Sequence, residues 1–217
     1  MTEPDARARQ RELVRSGYNQ VSRRYRDDRG ATDAESEETV SNYATWITDV
    51  ATLIRPGSRV LDLGCGAGVP ATKLLVEAGF DVTGVDISEV QIERARSLVP
   101  GATFIHADMA SWDAGASSFD AVVSFYALIH VPLDDQRELL PRVARWLAPD
   151  GYLLAIVGHE RWTGVEEYLG APMFWDHADA STYVSWLEAA GLAVQWQRYI
   201  PEGTSGHTLV LARRPRH

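Results

Sequence analysis

The run Asp62-Leu63-Gly64-Cys65-Gly66-Ala67-Gly68 sets three glycines within five residues, just behind an aspartate. Glycine lets a backbone turn sharply and approach a ligand with no side chain in the way. Several nucleotide chemistries use such a turn, and two details separate them. The dinucleotide pattern needs a further glycine three residues after the second, and that position is Val69. The aspartate stands two residues before the first glycine, where a carboxylate would repel a pyrophosphate but suit the ammonium of an amino acid. A second acid, Asp86, follows Asp62 by 24 residues, where acids commonly accept hydrogen bonds from ribose hydroxyls. A third, Asp108, precedes Met109, an apolar side chain at the same predicted edge.

The elements that must position these residues read as alternating strands and helices. Apolar runs predict strands over 59–63, 81–86, 103–107, 119–125 and 152–157. Helices are expected over 69–78, stopped by Gly79, over 88–98, and over 134–147 behind an Asp134 cap. Ser88 and Gln91 form a capping box for the second, while Pro141 should kink or divide the third. Residues 158–176 show no clear period but are rich in aromatics. A helix over 180–190 then leads to strands over 192–199 and 207–212, close enough in sequence to be an antiparallel hairpin. Near the N-terminus, Val14, Tyr18, Val21 and Tyr25 form one stripe of an amphipathic helix. After the acidic break at 28–38, Thr32-Asp33-Ala34-Glu35 reads as a capping box. The helix it opens carries Tyr43, Ile47, Val50 and Ile54 at helical spacing, up to Pro56-Gly57. The expected fold class is α/β, a mainly parallel sheet covered on both faces, with ligands at the carboxyl ends of its strands.

Singly, each acid has a plain alternative: Asp62 as a helix cap, Asp86 as a strand end, Asp108 as turn chemistry. In register with three successive strand ends, they describe the amino-acid, ribose and adenine portions of S-adenosylmethionine. Residues 60–155 resemble the class I S-adenosylmethionine-dependent methyltransferases, in their small single-domain bacterial branch. The resemblance rests on Val60 to Gly68, Val85-Asp86-Ile87-Ser88, Ala107-Asp108-Met109, Phe119-Asp120-Ala121-Val122-Val123-Ser124 and Leu147-Ala148-Pro149-Asp150-Gly151. It implies that Asp62 lies near the methionine moiety, Asp86 takes both ribose hydroxyls, Asp108 bonds the adenine amino group and Met109 packs on the ring. Gly64, Cys65, Gly66, Gly68 and Ile87 complete the expected cofactor-binding set. The resemblance also implies a Rossmann-like seven-stranded sheet with its last strand antiparallel. Residues 1–55 are then expected as an N-terminal helical lid on a domain of residues 56–217. Asp150 stands where the family often has a second glycine, a departure that touches a turn.

Methyl transfer from a sulfonium is an in-line displacement on an activated carbon, and positioning alone can supply about 7–11 kcal/mol. A base is needed only where the acceptor must lose a proton, and then gives roughly a hundred- to ten-thousand-fold. His130, just past the fourth predicted strand, is the candidate base. Its alternatives are a pocket wall or a structural histidine before Pro132. With Tyr126, His159, Trp162, Phe174 and Trp175, it makes the expected pocket for a small-molecule methyl acceptor, although the aromatics could equally be core. Tyr18 and Tyr25 are expected to touch the cofactor, or merely to dock their helix. S-adenosylhomocysteine is the expected product.

With 21 basic against 30 acidic residues and a net charge of −9, the chain lacks the basic face that nucleic acids require. The fourth predicted strand is followed by Ser124-Phe125-Tyr126-Ala127, without the prolines of nucleic-acid amino-methyltransferases. No Cys/His cluster has metal-site spacing, and Cys65 is the sole cysteine. The polar N-terminus and the absence of a long apolar run point to a cytoplasmic, non-membrane protein. A binding or regulatory protein that kept the cofactor site without transfer is the alternative reading.

Overall fold

The computed structural model describes residues 3–28 and 37–216. In chain order the helices are α1 (Glu3–Tyr25), α2 (Glu37–Ala51), α3 (Ala71–Glu77), α4 (Glu89–Leu98), α5 (Leu133–Trp146) and α6 (Ala180–Ala189). The strands are β1 (Arg59–Leu63), β2 (Asp81–Asp86), β3 (Thr103–His106), β4 (Phe119–Ser124) and β5 (Leu147–Gly158), then β6 (Trp162–Tyr168), β7 (Ala171–His177), β8 (Ala193–Glu202) and β9 (Ser205–Arg213).

Seven strands form one sheet in the order β3-β2-β1-β4-β5-β9-β8. The first five are parallel, and β9 runs antiparallel to both its neighbours. Strand side chains alternate between faces, which splits the core in two. Leu61, Leu63, Val122, Leu153 and Ala155 meet α5 and α6 on one face. Val60, Ala121, Val123, Leu154 and Ile156 meet α2 and α3 on the other. Strand order reverses between β1 and β4, the point in such sheets where a crevice opens at the carboxyl ends.

The expected α/β sheet with its antiparallel last strand is therefore present. The first helix after β1 starts at Ala71 rather than at residue 69, with Pro70 at its N-cap. The Ser88 hydroxyl accepts from the Gln91 amide at the start of α4, as the capping box predicts. Helix α5 begins at Leu133, so Asp134 sits in its first turn and does not cap it. Pro141 does not divide α5, because one lost backbone bond on an exposed edge is outweighed by burial of Leu139, Leu140, Val143 and Trp146. The aperiodic stretch 158–176 holds β6 and β7, an antiparallel ribbon outside the main sheet. Most of β6 is exposed, so there is no buried alternation for a sequence to display. The Thr32–Glu35 capping box lies outside the described residues.

The two N-terminal helices dock differently. Tyr43, Trp46, Ile47 and Val50 of α2 enter the core of the sheet. The Val14/Val21 stripe of α1 instead packs on Ala171, Met173 and Phe174 of β7. Among the described residues no helix is long and apolar enough to cross a membrane. Leu139 is fully buried at the α5–sheet seam. Leu139→Ala is expected to cost about 2–5 kcal/mol of stability, read as a lowered midpoint in urea unfolding.

Candidate functional site

The turn after β1 is held by hydrogen bonds that its sequence dictates. Gly64 has φ +82°, and a Cβ there would lie 2.1 Å from the Cβ of Ala127, so only glycine lets the turns after β1 and β4 approach. The amides of Gly64 and Cys65 both donate to the Val85 carbonyl. One residue on, the Gly66 amide donates to Asp86 Oδ2 at 2.9 Å, while the Ser88 amide donates to Oδ1 at 2.8 Å. Asp86 thus ties the glycine turn to the start of α4. Each of its oxygens keeps a second acceptor site for a ligand hydroxyl. Gly68 serves packing, since a Cβ there would meet Phe104 and Val99 at 3.2 Å.

Asp62 is buried and accepts from the Thr72 hydroxyl at 2.6 Å. Burial pushes its carboxyl up to about 7; the Thr72 bond partly offsets this, and the nearby Asp86 adds to it. Burial raises Asp86 as well, against the amides of Ser88 and Gly66. Two neighbouring acids, one buried and one half-buried, make a place that favours a cation, although Arg26 borders the opening at Asp62 and His106 acts on Asp86. Cys65, its thiol raised by burial, borders the same opening as Asp62.

Above the turn lies a narrow cleft. Gly64, Gly66, Asp86 and Ile87 form its floor, Asp108 and Met109 one end, and Tyr18 and Tyr25 of α1 its roof. Tyr126 and His130 close the other end. Asp108 Oδ2 pairs with Arg11 Nε at 2.9 Å, and Oδ1 accepts from the Ala110 amide at 2.8 Å. The side chain of Gln91 also borders the cleft, and its buried Nε2 has no hydrogen-bond partner among the described residues.

Tyr18, Tyr25, Tyr126 and His130 also face a second chamber, whose far walls are Trp46, Tyr168, Trp175, Glu202 and His207. His130 Nδ1 lies 2.7 Å from the Phe174 carbonyl and Nε2 lies 2.9 Å from the Tyr18 hydroxyl. A carbonyl can only accept, so Nδ1 carries the proton and Nε2 accepts from Tyr18. Burial pushes the imidazole down to about 4, which keeps it neutral. The Phe174 side chain is core, packed against α1, and only its carbonyl reaches the site. His159 and Trp162 do not line the chamber. His159 lies within 3.0 Å of the Thr208 hydroxyl, Trp162 is 46% exposed, and both border an outer cavity beyond Trp175. Arg11, Gln91, Glu202 and His207 were not expected from sequence. The only signal for the last two was their place at a hairpin turn.

Residues 60–151 match a family described as a methyltransferase domain. That match spans the glycine turn together with Asp62, Asp86 and Asp108. The 27-O-demethylrifamycin SV methyltransferase of Amycolatopsis mediterranei (strain S699) is 35% identical over 135 residues, 59% of this chain and 47% of that one. The chain therefore spans under half the length of that curated relative. Two solved structures share the methyltransferase-domain fold. One is the Burkholderia thailandensis 1,6-didemethyltoxoflavin-N1-methyltransferase with bound 1,6-didemethyltoxoflavin and S-adenosylhomocysteine, with a TM-score of 0.74 at 19% identity, covering 100% of this chain and 92% of that one. The other is the [4+2]-cyclase SpnF, with a TM-score of 0.75 at 18% identity, covering 94% and 95%.

The raised Asp62 carboxyl has a consequence for stability. Below its ordinary value of 3.8 it is protonated whether folded or unfolded, and between that value and about 7 only the folded form holds the proton. Folding stability contributed by this group therefore falls as pH rises through that window, then levels off. The stability of Asp62→Asn relative to the parent is expected to grow from pH 4 to about 7 and then stay flat. Chemical unfolding at each pH measures it, and a constant difference refutes it.

Proposed function

We propose that this chain is an S-adenosylmethionine-dependent methyltransferase that acts on a small molecule by in-line transfer. The observation that carries the reading is one cleft, bordered by acids from successive strand ends, which shares a wall of Tyr18, Tyr25, Tyr126 and His130 with an aromatic chamber. The residues present fit the cofactor. Asp62 offers a buried carboxylate to an ammonium, Asp86 keeps acceptor sites beside the glycine turn, and the orphaned Gln91 Nε2 offers a donor. Met109 supplies an apolar surface near Asp108 for a ring, and an amino group there would share Asp108 with Arg11. The cofactor supplies a methyl group already activated on sulfur.

The chain's own work is then alignment and exclusion of water. Residues 1–55 divide in this task, since α2 belongs to the core of residues 56–217 while α1 covers the cleft as the lid. In this reading His130 holds the lid. Its neutral ring joins Tyr18 of α1 to the Phe174 carbonyl of β7, and both nitrogens are engaged. A proton from an acceptor would reach Nε2 only through the Tyr18 hydroxyl. The acidic net charge supports a small molecule over a nucleic acid. A [4+2]-cyclase shares this fold, so the fold by itself does not require methyl transfer, and the second reading is cofactor binding without it.

Incubation with methyl-labelled cofactor and fractionated cell extract is expected to label one small molecule. Cofactor binding without any labelled product supports the second reading. Asp86→Ala is expected to lower S-adenosylhomocysteine affinity at least a hundredfold in calorimetry, and retained micromolar affinity sinks the cofactor assignment. On the labelled acceptor, Tyr18→Phe and His130→Ala are both expected to lower turnover by roughly ten- to a hundredfold, with a smaller effect on cofactor affinity. Unchanged turnover in both would reduce the pair to packing.

A further inference from the structure

The turn between β8 and β9 places Glu202 opposite Ser205 and His207 opposite Ile200. Positions 205 and 207 share one face of β9, so the carboxylate and the imidazole meet diagonally across the hairpin. His207 Nδ1 lies 3.0 Å from Glu202 Oε2, and Glu202 Oε1 accepts from the Tyr126 hydroxyl at 2.5 Å. Burial works to raise Glu202, but hydrogen bonds from His207 and Tyr126 hold it below its ordinary value, as a carboxylate. Tyr126 reaches this position from a left-handed backbone, φ +57°, a strained conformation of the kind that collects at functional sites. Its ring meets that of His207 edge-on, with centroids 5.5 Å apart.

A carboxylate accepts, so Nδ1 of His207 donates and Nε2 keeps the lone pair of the neutral ring. Among the described residues nothing bonds to Nε2. The titratable groups around it are Glu202, Tyr126, His177 with ring centroids 5.8 Å away, and His130 beyond. An imidazole oriented by a carboxylate, with its far nitrogen unbonded and its residue lining the chamber, is equipped to take a proton. His130 is not, because both its nitrogens are bonded.

Building on the methyltransferase reading, we propose that His207, oriented by Glu202, takes the proton of a phenol-type hydroxyl bound in the aromatic chamber. Trp46, Tyr168 and Trp175 offer flat apolar faces to a ring. The hydroxyl is the fitting acceptor group, since a neutral amine already carries a free pair and needs no base. In the step, the O–H bond breaks and its electron pair stays on oxygen, while an N–H bond forms at Nε2. The imidazolium so made is stabilised by the phenolate on one side and by the Glu202 carboxylate on the other.

The test uses 4-nitrophenol, whose phenolate absorbs in the visible while the phenol does not. Titrated into the protein with S-adenosylhomocysteine present, below the pH where free 4-nitrophenol ionises, the bound ligand is expected to show the phenolate band. Its ionisation constant should rise roughly tenfold or more over the free ligand, the shift a hydrogen-bonded partner charge gives. His207→Gln is expected to abolish the band, and Glu202→Gln to weaken it, with nitrophenol still bound and S-adenosylhomocysteine affinity unchanged. A full band in His207→Gln, or no nitrophenol binding to the parent protein, overturns the proposal. Failure of the parent to bind S-adenosylhomocysteine instead sinks the cofactor reading, and the titration repeated without it still decides this one.

Discussion

Asp86 ties the glycine turn after β1 to the head of α4. Its oxygens accept the Gly66 amide from the turn after β1 and the Ser88 amide at the head of α4. Ser88 in turn caps α4 through Gln91 and donates to Asn19 of α1 at 2.6 Å. The floor of the cleft, the helix beside it and the helix above it are thus fixed relative to one half-buried carboxylate. The cost of burying that charge is visible in its raised proton affinity. A group that accepts from two amides and still has acceptor sites facing a cleft is an organiser before it is a ligand contact.

Around that fixed floor the helix α1 is attached by chemistry of a different kind. Arg7 and Arg11 both pair with Asp135 of α5, and Arg11 also reaches Asp108. Tyr18 bonds His130, and Ser22 donates to Gln91 Oε1 at 2.7 Å. Many contacts from α1 to the sheet's end are polar, while its apolar stripe meets the β6–β7 ribbon and, at the sheet's end, Ile87. Polar contacts can be exchanged for ligand or water at small net free energy, which apolar burial cannot. A cover built this way suits a site that must open for each turnover.

What was legible in the sequence is what depends on neighbours along the chain. The glycine turn, Asp86 at the end of β2 and the Ser88 cap are local patterns, and each stands in the expected place, while Asp62 lies one residue inside the end of β1 and Asp108 two residues beyond β3. Asp134 looked like a cap from composition alone, but α5 starts one residue earlier at Leu133. The β6–β7 ribbon was illegible because β6 is covered on neither face well enough to alternate. Glu202 and His207 were hidden for another reason: their meeting depends on hairpin register, which a run of Pro, Gly and Ser residues does not specify. Arg11 and Gln91 entered the site only through the docking of α1, a contact between segments remote in sequence.

The two walls of the aromatic chamber are anchored to different bodies. Glu202 and His207 belong to a hairpin whose strand β9 is bonded along its length to β5, within the main sheet. Trp175 and Tyr168 belong to a ribbon whose apolar side rests on α1. That ribbon is also tied to α5, where the Leu133 amide donates to Asp176 Oδ2 and Gln136 Nε2 donates to the Asp176 carbonyl. One wall of the chamber is thus stiffened by the sheet and the other is held between the lid and α5, so the seating of α1 on the ribbon bears on the chamber as well as on the cleft.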